Sequence, residues 1–86
     1  MLEITNPLGL HARAAAHLVR LAGSFKSRIL ISRTDTSVVA DAKSILSVLT
    51  LAASKGTVLI LKVEGDDETM AFNAVVRLFE NGFGEL

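Results

Sequence analysis

The chain has no cysteine, no tryptophan and no tyrosine, and only one proline among its 86 residues. Without cysteine there can be no disulfide, no cysteine zinc site and no thiol nucleophile. Without tryptophan or tyrosine, stacking on nucleic-acid bases would rest on four phenylalanines, so no nucleic-acid partner is expected. No apolar run approaches the ~18 residues that span a bilayer, which argues against a membrane role. The opening MLEITNPL has neither a basic start nor a long apolar stretch, so no signal peptide is expected and the chain reads as cytoplasmic.

Charge of one sign is missing locally rather than globally. Nine basic and nine acidic residues give a formal net charge of zero. Yet between His11 and Arg33 the charged residues are Arg13, Arg20, Lys26, Arg28 and Arg33, with no acid among them. From Glu64 onward stand Glu64, Asp66, Asp67, Glu68, Glu80 and Glu85 against a single base, Arg77. A chain of zero net charge can therefore present one basic face and one acidic face.

The length predicts one domain over residues 1–86, and half of the residues are hydrophobic, enough for one compact core. Leu2 to Thr5 reads as a short strand. Pro7 and Gly9 mark a loop. Ala14 to Phe25 reads as a helix, with Ala14, Ala15, Leu18, Leu21, Ala22 and Phe25 on one face and Arg13, His17, Arg20 and Ser24 on the other. Arg28 to Ser32 and Ser37 to Ala40 read as a hairpin around Thr34-Asp35-Thr36. Ser44 to Ala53 reads as a short helix and Thr57 to Val63 as the strongest strand. Glu68 to Glu80 reads as a last helix, its acids gathered at the N-terminal end and Asn81-Gly82 stopping it. The remainder, NGFGEL, reads as a helix stop and a tail. The order βαββαβα predicts an α+β fold, one sheet with its helices packed on one face.

Residues 6 to 18, NPLGLHARAAAHL, place a histidine and an arginine at the mouth of a helix. Helix N-termini present unpaired N–H groups and a partial positive charge, and they bind phosphate or carboxylate. Neutral imidazole has a free ring nitrogen that can attack a phosphoryl group. Arg13 and the helix start would then hold the resulting anion. The alternative is an incidental loop histidine beside a solvated basic stripe. His11 and His17 do not make a metal site: one lies in the loop and the other on the helix, without a third histidine or a carboxylate between them.

In the second helix, SILSVLTLAA, Val48 sets the inward direction and Leu46 points almost opposite it. Leu46 is either covered by loops or part of an apolar docking patch. Ser44 stands at the N-cap position. Phosphorylated there, it would add charge that a helix start tolerates and that would repel an acidic partner.

GLHARAA resembles the active-site motif of the HPr family, the histidine-containing phosphocarriers of the bacterial phosphoenolpyruvate-dependent phosphotransferase system. FKS at Phe25 to Ser27, DAKSILSVLTLAASKGT at Asp41 to Thr57, GDDE and NGFGEL follow in the family's order, so the resemblance spans essentially the whole chain. It implies the HPr-like open-faced β-sandwich: a four-stranded antiparallel sheet with three helices on one face. By the same resemblance, His11 is phosphorylated by Enzyme I and passes the group to an enzyme IIA domain, with Arg13 beside it. Ser44 matches the family's regulatory serine, the target of an HPr kinase/phosphorylase. The resemblance puts Leu46 and Leu49 where the family meets its partners; Lys43, Ile45 and Ser47 beside them are expected to join that surface. His17 and Arg20, in the basic stripe with Arg13, are expected to dock an acidic partner unless that stripe is simply a solvated face. No cofactor and no metal is implied, and a monomer is expected. Many members of the family have proline directly after HAR; here it is Ala14, which keeps its N–H. A regulatory module acting only through Ser44 and the Leu46 patch is the alternative. A small-molecule-binding α+β domain would explain Ser44 and His11 only by chance.

Overall fold

The computed structural model describes residues 1–85. In chain order the elements are β1 (Leu2–Glu3), α1 (Ala12–Gly23), β2 (Arg28–Arg33), β3 (Val39–Asp41), α2 (Ile45–Leu49), β4 (Val58–Glu64) and α3 (Glu68–Glu80), followed by a 3₁₀ turn at Gly82–Gly84. The four strands form one sheet in the order β1-β4-β2-β3, every neighbouring pair antiparallel. This is the open-faced α+β arrangement that the order of elements predicts.

The β-branched and leucine-rich strands β2 and β4 make the central pair, in register from Arg28 opposite Glu64 to Arg33 opposite Leu59. Alternation sends Ile29, Ile31 and Leu59 under the helices, where all three are fully buried. Val39 and Ile60 face the other way and stay exposed. From the helices, Leu18, Val48, Val75 and Phe79 close the core against those strand residues.

Three boundaries differ from the sequence reading. α1 begins at Ala12, not Ala14, because His11 itself is the N-cap: its ring accepts from Arg13 N–H and Ala15 N–H donates to its carbonyl at 2.8 Å. α2 stops at Leu49, short of Ala53. Ala52 sits in the left-handed region (φ 47°), which ends the helix, while Leu51 and Ala53 are buried as irregular chain. Apolar residues packing without helical geometry therefore mimic helical periodicity. The third is the stretch Gly82–Glu85, which is no tail, Leu86 lying outside the described residues. Phe83 (φ 58°) is buried and meets Phe79 edge-on, with ring centroids 4.8 Å apart.

Strand ends shift by a residue or two. β3 covers Val39–Asp41 instead of Ser37 to Ala40, and β1 is Leu2–Glu3. Ile4 still pairs beyond β1, donating its N–H to Thr57 O and accepting from Gly56 N–H. At the start of α3, Asp67 does not cap its own helix. Its carboxylate instead accepts from Lys26 N–H, Ser27 N–H and Ser27 Oγ, tying α3 to the start of β2.

Candidate functional site

The loop before α1 is held from two sides. Gly9 has φ +67°, and a Cβ there would stand 2.6 Å from Ala53 O. The adjacent Leu10 N–H donates to that same carbonyl at 2.8 Å. The loop therefore lies directly on the segment that follows α2. From within, fully buried Asn6 donates through Nδ2 to Gly9 O at 2.8 Å.

These supports deliver His11 to the first turn of α1. Its Nδ1 faces the helix and lies 3.4 Å from Arg13 N. Its Nε2 faces the C-terminus and lies 2.6 Å from Glu85 Oε2. An amide N–H only donates and a carboxylate only accepts. The two contacts therefore select one neutral tautomer, with the proton on Nε2 and the lone pair on Nδ1.

Glu85 is itself anchored. Asn6 Nδ2 donates to Glu85 Oε1 at 2.9 Å, and the buried Phe83 pins the turn that carries it. The Asn6 hydrogen bond and then the His11 hydrogen bond hold the Glu85 carboxyl below the usual carboxylate range, with the Arg13 charge adding to the same effect. Glu85 therefore stands as an ionised carboxylate beside the imidazole.

His11, Arg13 and Glu85, with Pro7, Leu8 and Ala12, line an open cavity of about 570 Å³. The N–H groups of Ala12, Arg13 and Ala14 precede the first intrahelical bond of α1, so the cavity wall beside Nδ1 is rich in donors. Among the described residues Arg13 makes no ion pair, which leaves its guanidinium free for an anion. The described residues include no cluster of three His, Cys, Asp or Glu side chains able to hold a metal ion. No helix among them is long and apolar enough to cross a membrane.

The other residues singled out from sequence divide into two places. Ser44 is the N-cap of α2, its hydroxyl accepting from Ser47 N–H at 3.3 Å. Ile45, Leu46 and Leu49 are exposed on α2, Leu46 at 75 %, while Val48 beneath them is fully buried. Ser47 Oγ accepts from Asp41 N–H, and Lys43 Nζ donates to Phe25 O, so both side chains also bind the frame. His17 and Arg20 do not line the His11 cavity. They border a different groove, between α1 and α3. Asn6 and Glu85 were not legible as site residues. The available signal was GFG after the helix stop: an aromatic between two glycines fits a turn that returns to the core better than a tail.

Comparison with known proteins agrees with this fold. The family model described as "PTS HPr component phosphorylation site" matches residues 1–81. The phosphocarrier protein HPr of Pseudomonas aeruginosa is 51 % identical over 86 residues, covering 98 % of this chain and 94 % of its own. The crystal structure of HPr-C-His from Thermoanaerobacter tengcongensis superposes with a TM-score of 0.91 at 44 % identity, over 99 % of this chain and 93 % of that one. An HPr dimer from the same organism superposes with a TM-score of 0.80 at 44 % identity, over 99 % and 95 %. A histidine at a helix start, in this sheet and among these relatives, places the chain in the HPr family of phosphocarrier proteins.

Proposed function

We propose that His11 accepts a phosphoryl group from phospho-Enzyme I and passes it to an enzyme IIA domain. The observation that carries this reading is the fixed tautomer, with Nε2–H on Glu85 and the Nδ1 lone pair facing the N–H groups of α1. In the acceptance step Nδ1 forms a bond to phosphorus. The donor's bond to that phosphorus breaks, and its electron pair leaves with the donor. The ring keeps its Nε2 proton and gains positive charge, which the Glu85 carboxylate faces at 2.6 Å. The phosphoryl oxygens meet Arg13 and the first-turn N–H groups. Donation to the acceptor runs the same step in reverse, so the protein is a carrier with no turnover of its own.

Docking falls to the face that carries the exposed Leu46, Ile45 and Leu49 beside the site. Ser44, capping the same helix, is the regulatory position: a phosphate there adds charge within the docking face and repels an acidic partner. A serine kinase such as HPr kinase/phosphorylase would supply it. The carrier works as a monomer in the cytoplasm.

The test is onward transfer. Phosphorylated protein, freed of Enzyme I and mixed with an enzyme IIA domain, should lose its phosphoryl group to that domain. A group that stays on the protein in the presence of a competent acceptor would leave only the regulatory role.

A further inference from the structure

The basic stripe of α1 is only partly used by the His11 site. Its His17 and Arg20 turn instead to the groove between α1 and α3, a space of about 540 Å³. The two helices line this groove with matching patterns. His17, Arg20 and Leu21 on α1, with its C-cap Ser24, stand at i, i+3, i+4 and i+7, and Ala74, Arg77 and Leu78 on α3, with its C-cap Asn81, repeat that spacing. Each helix therefore offers an arginine over a leucine to the same space. Leu21, Ala74 and Leu78 are half-buried, and both leucines pack against the core, so the floor is apolar and backed by fixed structure. Arg20, Arg77 and His17 are exposed at the rim.

Charge singles this groove out. Among the described residues that line it there is no carboxylate, although the chain as a whole carries as many acids as bases. Neither arginine is in an ion pair among the described residues. Arg77, the sole base in the acidic C-terminal part of the chain, faces the basic helix across the groove. Two unpaired guanidiniums at the rim of one apolar floor can share an anion, and the guanidinium fork matches phosphate. The volume is within the range of small-molecule sites.

We infer that the α1–α3 groove is a second binding site, for a small organic phosphate monoester whose anionic head lies between Arg20 and Arg77 and whose apolar body rests on Leu21, Ala74 and Leu78. The site is separate from the cavity at His11, and its occupation does not require phosphoryl transfer.

The probe is phenyl phosphate, added to isotopically labelled protein and followed by amide, arginine side-chain and methyl NMR shifts. Benzyl alcohol and inorganic phosphate serve as the apolar and anionic halves. The expected result is saturable shifts at Arg20, Leu21, Arg77 and Leu78, with each half-probe binding at least about tenfold more weakly. Arg77→Gln should weaken phenyl phosphate by roughly tenfold, with the remaining spectrum and phosphoryl acceptance at His11 unchanged. Arg77→Lys should fall between the two. The inference is overturned by any of three outcomes. One is no saturable shift in the groove up to on the order of 10 mM. Another is shifts centred on Leu10 to Arg13, which mark the start of α1 as the binding site. The last is undiminished affinity in both Arg77→Gln and Arg20→Gln.

Discussion

Glu85 Oε2 lies 2.6 Å from His11 Nε2, across a sequence separation of 74 residues. The carboxylate holds the ring proton on Nε2 and so keeps the lone pair on Nδ1. In Glu85→Gln the side chain can turn its NH₂ toward Nε2, which favours the opposite tautomer with the proton on Nδ1. Phosphoryl acceptance should fall roughly ten- to hundredfold, while the fold is kept. Initial rates with phospho-Enzyme I measure the loss, and ¹⁵N shifts of the imidazole report the tautomer. Unchanged rates together with an unchanged tautomer would remove Glu85 from the site.

Gly9 is the point where the His11 loop rests on the chain after α2. In Gly9→Ala the new Cβ lies 2.6 Å from Ala53 O and 2.9 Å from Ser54 Cα, at a φ of +67°. Backbone atoms cannot swing aside, so a loss of at least about 2 kcal/mol is expected. Urea unfolding measures it. The acceptance rate should fall as well, because Leu10 N–H and the clashing methyl share one carbonyl.

Ala52 gives the opposite sign. It adopts φ 47° with a Cβ that this conformation disfavours. Arg33 Nη1 helps to hold the strained turn, donating to Leu51 O at 2.8 Å and Ala52 O at 3.2 Å. Ala52→Gly should relieve the strain by about 1 kcal/mol and raise the melting temperature by about 4–8 °C. Calorimetry decides it; a lower melting temperature would contradict the strain.

The sheet and its helices were legible because their signals are local and repetitive. TVLILKV announced β4, and Glu68 to Glu80 was read to the residue. The position of His11 and Arg13 at a helix start was legible because loop, glycine and helix start are contiguous in sequence. The outward direction of Leu46 followed from a single turn of helix around Val48. Glu85 and Asn6 were not legible, since their roles exist only after the 3₁₀ turn brings both ends of the chain together. α2 was overextended because Leu51 and Ala53 are buried by a left-handed turn, and burial alone carries no mark of backbone geometry. His17 and Arg20 share a helix face with Arg13 on a wheel. The approach of α3, invisible in that projection, assigns them to another groove.

Asp67 couples the start of α3 to β2, and it sets an acid limit. The Ser27 hydroxyl, then the Lys26 N–H, hold its carboxyl at about 2 against an ordinary 3.8. A carboxyl depressed in the folded state contributes stability that is complete above its unfolded value and is lost as pH falls through its folded value. Stability should therefore drop between pH 3.8 and about 2. Asp67→Asn should be less stable than the parent at pH 7 and should lose less on acidification across that window. Chemical unfolding at several pH values compares the two slopes.

The carrier role itself is tested most directly by mass. The protein is mixed with Enzyme I, magnesium and phosphoenolpyruvate, and its intact mass is read before and after mild acid. One added phosphoryl group, removed by acid and missing in His11→Ala, is the predicted result. No added mass with a competent Enzyme I, or an added group that persists in His11→Ala, would contradict the account.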